Sequence, residues 1–329
     1  MTPHDKPLCA TPIAVVGIGN MGLAMALRLR DSGQAVRVHD IDPTRHALAA
    51  AAGARPCASP AEAAAGCAVL VVAVVDATQT ETVLFAAEGA AAAMPRGAAV
   101  LLCPTIGPLD VECLAARLAG QGLACLDAPM SGGPARARDG SMSLMVAGAS
   151  ATWHALQPLL VQLAAQRFYI SSRPGDGART KLVNNLLAAT NLAAAAEALA
   201  LAQCLGLDGA MTLAVITQSS GHSWIGADRM ARALAADFAP RAHTTLLAKD
   251  SSLALAMAAQ AGVQPPLGTQ AAAQFQAALA AGFADDDDAR LLSLMQQQFA
   301  ASASTPTGAG RARPAAQAEG PGGPPIAPT

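Results

Sequence analysis

The chain has 329 residues, 53% of them hydrophobic, only 3% aromatic and 13% charged, with a formal net charge of -2. This is ample apolar material for two domains whose cores are built from Ala, Leu and Val rather than rings. A near-neutral balance without any Lys/Arg cluster argues against nucleic acid or an anionic membrane surface as partner, and leaves a small molecule as the expected one.

The seven cysteines (Cys9, Cys57, Cys67, Cys103, Cys113, Cys125, Cys204) contain no C-x-x-C pair and lie mostly in apolar runs. They read as reduced core residues of a cytoplasmic protein.

The first apolar run, 12–27, is interrupted by Gly17, Gly19, Asn20 and Gly22, so no signal peptide is expected. It reads instead as a strand at 13–16 followed by a helix at 20–32. The turn between them carries Gly17-Ile18-Gly19-Asn20-Met21-Gly22, a G-x-G-x-x-G spacing with strand before and apolar helix after. Gly17 permits the tight turn, Gly19 lets the backbone approach a pyrophosphate, and Gly22 lets the helix lie close to the strand. A second strand, 35–39, ends at Asp40, placed to accept hydrogen bonds from the adenosine ribose. With Asp42 two residues on, a 2′-phosphate would meet negative charge, so NAD is favoured over NADP, although Arg45 is near.

Further strands are expected at 69–75, 99–103, 123–127, 143–146 and 167–170, and helices at 43–52, 77–87 and 108–120. That alternation is α/β, the rhythm of a doubly wound, mainly parallel sheet. The later strands have shorter connections, which admit antiparallel pairs. Where the 123–127 strand ends, Ser131-Gly132-Gly133 offers a hydroxyl and unshielded backbone N–H groups, suited to cradling a carboxylate.

After Pro174-Gly175 the strand signal disappears, and helices are expected at 177–205, 208–219, 224–236, 243–261, 266–281 and 287–299. The first is about 45 Å long and apolar nearly all round, so the helices after it or a second subunit must cover most of it. It is long enough to span a bilayer, but Asn184, Asn185, Thr190, Asn191, Glu197 and Gln203 would be stranded in lipid, so it reads as a buried helix.

Near its start stands Lys181, with Glu197 the only other charge up to Gly206. An ammonium so placed must be partnered, neutral or at work. Asn184 and Asn185 fall three and four residues later, on the same face.

The run Asp285 to Asp288 reads as a charged start to the last helix that suits its dipole, rather than as a cation site, because four consecutive residues point around a helix. No metal is expected, because the six histidines form no i, i+4 pair. The expected organisation is a dinucleotide-binding Rossmann domain at 12–174, an all-helical substrate and dimerisation domain at 175–300, and a disordered low-complexity tail at 301–329.

The glycine turn, Asp127-Ala-Pro-Met-Ser131-Gly132-Gly133, Gly177-x-x-x-Lys181-x-x-Asn184-Asn185 and Lys249-Asp250 together resemble, in order and spacing, the β-hydroxyacid dehydrogenase family related to 3-hydroxyisobutyrate dehydrogenase. The resemblance spans about 12–300 and is nearest to the L-threonate dehydrogenase branch, through 79–85, 194–202, Ser223-Trp224 and Arg229-Met230.

The resemblance implies an NAD-dependent oxidation of a short hydroxy acid, with Lys181 as general acid/base, Asn185 on the substrate hydroxyl, and Ser131, Gly132 and Gly133 on its carboxylate. It implies cofactor contacts from Gly17, Gly19, Asn20, Met21, Gly22, Asp40, Val74, Val75, Thr105 and Lys249. The long helix, for its part, suggests a homodimer or homotetramer. His222, Trp224, Arg136 and Arg138 are candidates for the far end of the substrate. Two other readings share the scaffold, an imine reductase and a non-catalytic dinucleotide-binding module; both are expected to lack the lysine.

Overall fold

A computed structural model describes residues 11–304, so Cys9 and the stretch 305–329 of the expected tail lie outside the described residues. The first half begins with β1 (Ile13–Val16), buried at every position, and α1 (Asn20–Asp31). β2 (Val36–His39) leads to α2 (Pro43–Ala51), whose first turn is capped by the Asp42 carboxylate. A short β3 (Arg55–Pro56) and α3 (Pro60–Ala64), capped by Ser59, follow. Next come β4 (Val69–Val72), α4 (Ala77–Phe85) capped by Asp76, β5 (Ala99–Leu102) and α5 (Pro108–Gly120). The half closes with β6 (Ala124–Asp127), β7 (Met130–Ser131), α6 (Gly133–Asp139), β8 (Ser143–Gly148), α7 (Ser150–Leu163) and β9 (Gln166–Ser171).

β1, β4 and β5 are continuous apolar runs because both faces of a parallel sheet are covered. One core packs Ile13, Val15, Val69 and Leu101 against α1 and α7, and the other packs Ala14, Val16, Leu70 and Leu102 against α3 and α5. The order is β3-β2-β1-β4-β5-β6-β8-β7, with β9 also pairing β8. Strands β1 to β6 run parallel, β8 runs antiparallel to β6 and β7, and β9 is parallel to β8. β2 and β4 flank β1, so the crevice at its C-terminal end lies where the winding reverses.

The second half is helical: α8 (Asp176–Cys204), α9 (Gly209–Thr217), α10 (Trp224–Leu234), α11 (Thr244–Gln260), α12 (Pro266–Ala280), a 3-10 turn (Asp288–Arg290) and α13 (Leu291–Ser304). α8 has the length and hydropathy of a membrane span, but one face is buried under α10, α11, α12 and α13 through Ala189, Leu192, Ala196 and Leu199. Its opposite face is open, with Val183 at 62% and Leu187 at 61% exposure, so the single chain does not cover the helix on most sides as its composition demands.

The structure corrects several expectations. β4 stops at Val72, leaving 73–75 as loop, and the last helix runs to Ser304, four residues into the stretch assigned to a disordered tail. Cys113 and Cys204 are exposed rather than in the core.

The aspartate run does lie just before the last helix, but two of its four members are buried in ion pairs. Asp287 and Asp288 are buried, Arg232 Nη1 donates to Asp287 Oδ1 at 2.9 Å, and Arg229 donates to Asp288. Burial pushes the Asp288 carboxyl up to about 7 against the pull of Arg229.

Candidate active site

The glycine turn shows why Gly17 and Gly22 are needed. Gly17 has φ of +86°, and a Cβ there would lie 2.6 Å from Val74 Cγ1 and 2.8 Å from the Ala73 carbonyl. At Gly22 a Cβ would fall 1.8 Å from the Gly17 carbonyl oxygen, so α1 docks on the turn itself. Gly19 is different, since a Cβ there meets nothing within 4 Å. The open space faces the N-terminus of α1, where Asn20 is exposed and Met21 half-buried, and it fits a pyrophosphate.

Asp40 closes the crevice on the β2 side. Its Oδ2 accepts from the Ile18 N–H at 2.7 Å and its Oδ1 from the Asp42 N–H at 3.0 Å, while its own N–H donates to His46 Nε2 at 2.9 Å. The carboxylate is thereby fixed to the glycine turn, and each oxygen keeps a lone pair for a ribose hydroxyl. Val75, half exposed, lies on the β4 side of the same crevice.

Lys181 is 8% exposed on α8, and its amine makes no hydrogen bond to another described residue. Burial lowers its pKa from 10.5 to about 8, with Asp250 opposing that shift and Lys249 adding to it. Asn185, one turn on, donates its amide to Asp250 Oδ2 at 2.7 Å and accepts from Asn184 at 3.0 Å. The other oxygen, Asp250 Oδ1, accepts from Lys249 Nζ at 2.7 Å, and Lys249 also donates to the Thr105 carbonyl in the loop after β5. One carboxylate on α11 therefore orients Asn185, holds Lys249 and sets the field at Lys181.

The Ser131-Gly132-Gly133 loop leaves β7 with φ of +129° at Gly132 and +74° at Gly133. A Cβ on Gly133 would meet nothing within 4 Å, so its backbone is open to a ligand, whereas one on Gly132 would strike the Arg136 side chain. Arg136 reaches across to the Trp224 ring at 5.2 Å, joining α6 to α10. Arg138 instead pairs with Asp31 at 2.6 Å, and His222 is exposed beyond Ser223. Among the described residues no group of His, Cys, Asp or Glu is placed to hold a metal ion.

Two residues escaped the sequence reading. Asp250 entered it only as a neighbour of Lys249, although an acid beside a lysine in an otherwise apolar helix is itself a signal. Asp127, at the end of β6, is buried and accepts from the Gly175 and Ala178 N–H groups, both at 2.9 Å. Its signal was a lone carboxylate closing an apolar strand.

Comparison with known proteins adds four findings. Residues 12–171 match the NAD binding domain of 6-phosphogluconate dehydrogenase. Residues 175–295 match the family described as NAD-binding of NADP-dependent 3-hydroxyisobutyrate dehydrogenase. The chain is 39% identical to an L-threonate dehydrogenase of Cupriavidus necator, over 86% of this chain and 95% of that one. It also superposes on a 3-hydroxyisobutyrate dehydrogenase from Salmonella typhimurium with a TM-score of 0.82 at 34% identity, covering 86% of this chain and 99% of the other.

Proposed function

Because this chain belongs to the nicotinamide-dependent hydroxyacid dehydrogenases related to 3-hydroxyisobutyrate dehydrogenase, we propose that it oxidises the alcohol of a short hydroxy acid, L-threonate first among the candidates, with NAD as acceptor and Lys181 as general base. The observation that carries this reading is a buried amine beside Asn185 and Asp250, without a hydrogen-bond partner among the described residues and with its pKa lowered to about 8.

A bound nicotinamide dinucleotide supplies the hydride acceptor. Gly17, Gly19, Asn20, Met21 and Gly22 hold its pyrophosphate, Asp40 its adenosine ribose, and Val74, Val75, Thr105 and Lys249 its remaining length. The Asp40 and Asp42 carboxylates repel a 2′-phosphate, which favours NAD over NADP.

The residues around the substrate divide the rest of the work. Ser131, Gly132 and Gly133 hold the carboxylate, and Asn185, oriented by Asp250, turns the hydroxyl toward Lys181. Neutral Lys181 takes the hydroxyl proton onto Nζ. Burial keeps that amine partly neutral near physiological pH, so it is a competent base without a second group to deprotonate it. With both substrate ends fixed, hydride and proton leave from one geometry. The same reading places the enzyme in the cytoplasm as a homo-oligomer, with no nucleic-acid or membrane partner.

The test is a panel of L-threonate, D-threonate, 3-hydroxyisobutyrate and D-glycerate with NAD and with NADP, read as absorbance of the reduced cofactor. L-Threonate with NAD should give the highest kcat/KM. No turnover on any of the four sinks the proposal.

A further inference from the structure

The Lys181 row is anchored at both ends. Gly177, Lys181 and Asn185 are spaced by four residues and form one line along α8. Asp250 meets the line at Asn185; at the other end the first turn of α8 rests on the end of β6. A Cβ at Gly177 would lie 2.6 Å from the Met145 carbonyl oxygen and 2.9 Å from both the backbone oxygen and Oδ2 of Asp127. The Gly175 and Ala178 N–H groups both donate to that same Oδ2. Asp127 also begins the segment that reaches Ser131-Gly132-Gly133 four residues later. Its carboxylate thus joins the two pieces of chain that must grip opposite ends of one substrate.

The carboxylate is held at a cost. Oδ1 is buried with no hydrogen-bond partner among the described residues. Burial raises the Asp127 pKa from 3.8 to about 6, only partly offset by the backbone donors of Ala178, Gly175 and Gly177. The ionisable groups around it give no cation in direct contact. On α8 there is Asp176, itself tied to Arg173 and Arg179; after β5 there is Cys103, and on β6 Cys125, both thiols pushed high by burial. From α5, Glu112 pairs with Arg179 instead. A neutral side chain would fold here more readily, yet the position carries an acid.

We infer that Asp127 is a positioning residue for catalysis, whose ionised carboxylate sets the register between Lys181 on α8 and the carboxylate-holding loop after β6. It touches neither substrate nor cofactor. The inference rests on Lys181 being the proton acceptor. Protonating Asp127 turns charge-assisted bonds to the α8 N–H groups into neutral ones and loosens the join.

The test is the pH dependence of kcat/KM on the best substrate, for wild type and Asp127→Asn, with NAD affinity by fluorescence titration and Tm at pH 8. Wild-type log kcat/KM should fall with unit slope below pH about 8, as Lys181 protonates, and steepen below about 6. Asp127→Asn should keep the unit slope throughout, with kcat down at least about tenfold, NAD affinity within about twofold and Tm no lower than wild type. Gly177→Ala, which forces α8 off the same carboxylate, should also lower kcat more than NAD affinity.

A wild-type profile without the second break overturns the inference, and so does an Asp127→Asn enzyme with kcat within about twofold of wild type. Loss of kcat only in proportion to lost folded protein makes Asp127 a structural carboxylate and also overturns it. If wild type binds NAD but turns over no hydroxy acid, the functional reading beneath it falls first, a result distinct from either variant's failure.

Discussion

At Lys181, desolvation wins over the attraction of Asp250, and the net pKa of about 8 has two measurable consequences. Activity should rise through pH 8 and level off above it, and Lys181→Met should lower kcat by about 10²–10⁴-fold while NAD affinity holds. The second consequence concerns folding. The unfolded chain binds this proton more tightly than the folded one, so the lysine costs stability most below pH 8, and the cost fades as pH rises toward 10.5. Lys181→Met should therefore raise stability at pH 7 by up to about 3 kcal/mol, read by urea unfolding; a loss of stability would contradict the burial argument.

Asp127 behaves with the opposite sign. Its folded pKa is the raised one, so the proton it holds favours folding fully below pH 3.8, and that gain is lost as pH climbs through about 6. Much of this site was legible as sequence, since each piece is a short local motif: Gly17, Gly19 and Gly22 at one turn, Ser131 to Gly133 in one loop, Lys181 and Asn185 one helical turn apart. Asp250 was legible only as a residue type, because its partner Asn185 is 65 positions away and only folding brings them together.

The elements of the fold divide along the same line. β1, β4, β5 and the helices from α8 onward were readable because long apolar runs and helical periodicity survive local noise. β3, α3, β7 and α6 were not, being two to seven residues long and held by neighbours rather than by propensity, and the fourteen-residue α7 was missed as well. The burial of the aspartates before α13 was not legible for a related reason, since charge alone names no partner until Arg229 and Arg232 of α10 are found beside them. That pairing should be strongly structural. Arg232→Met leaves Asp287, at 0% exposure, without its Arg232 partner, and should destabilise the chain by about 3–5 kcal/mol in denaturant unfolding. A change under about 1 kcal/mol would mean that the backbone donors of Arg241, Ala242 and Ala289 suffice for it.

For the whole molecule, two surfaces decide behaviour. One is the open face of α8, where Val183 and Leu187 lie exposed on a helix apolar enough to require cover. If a second copy supplies that cover, sedimentation should give an oligomer that Leu187→Asp splits into monomers; a wild-type monomer would refute the expectation. The other is the meeting of the two halves, bridged near the cofactor crevice by Lys249 on Thr105. Lys249→Ala should weaken NAD binding by about tenfold, the worth of one charge-assisted hydrogen bond, measured by titration.

Lys249 is also tied to Asp250, and Asp250 to Asn185, so opening the halves far enough to free a dinucleotide should slacken the groups proposed to orient the substrate hydroxyl. In kinetic terms that predicts sequential traffic. The expected order is cofactor first and acid second, with the oxidised acid departing before the reduced cofactor. Product-inhibition patterns should accordingly show NADH competing with NAD alone, a record in steady-state rates of a single lysine spanning a cleft.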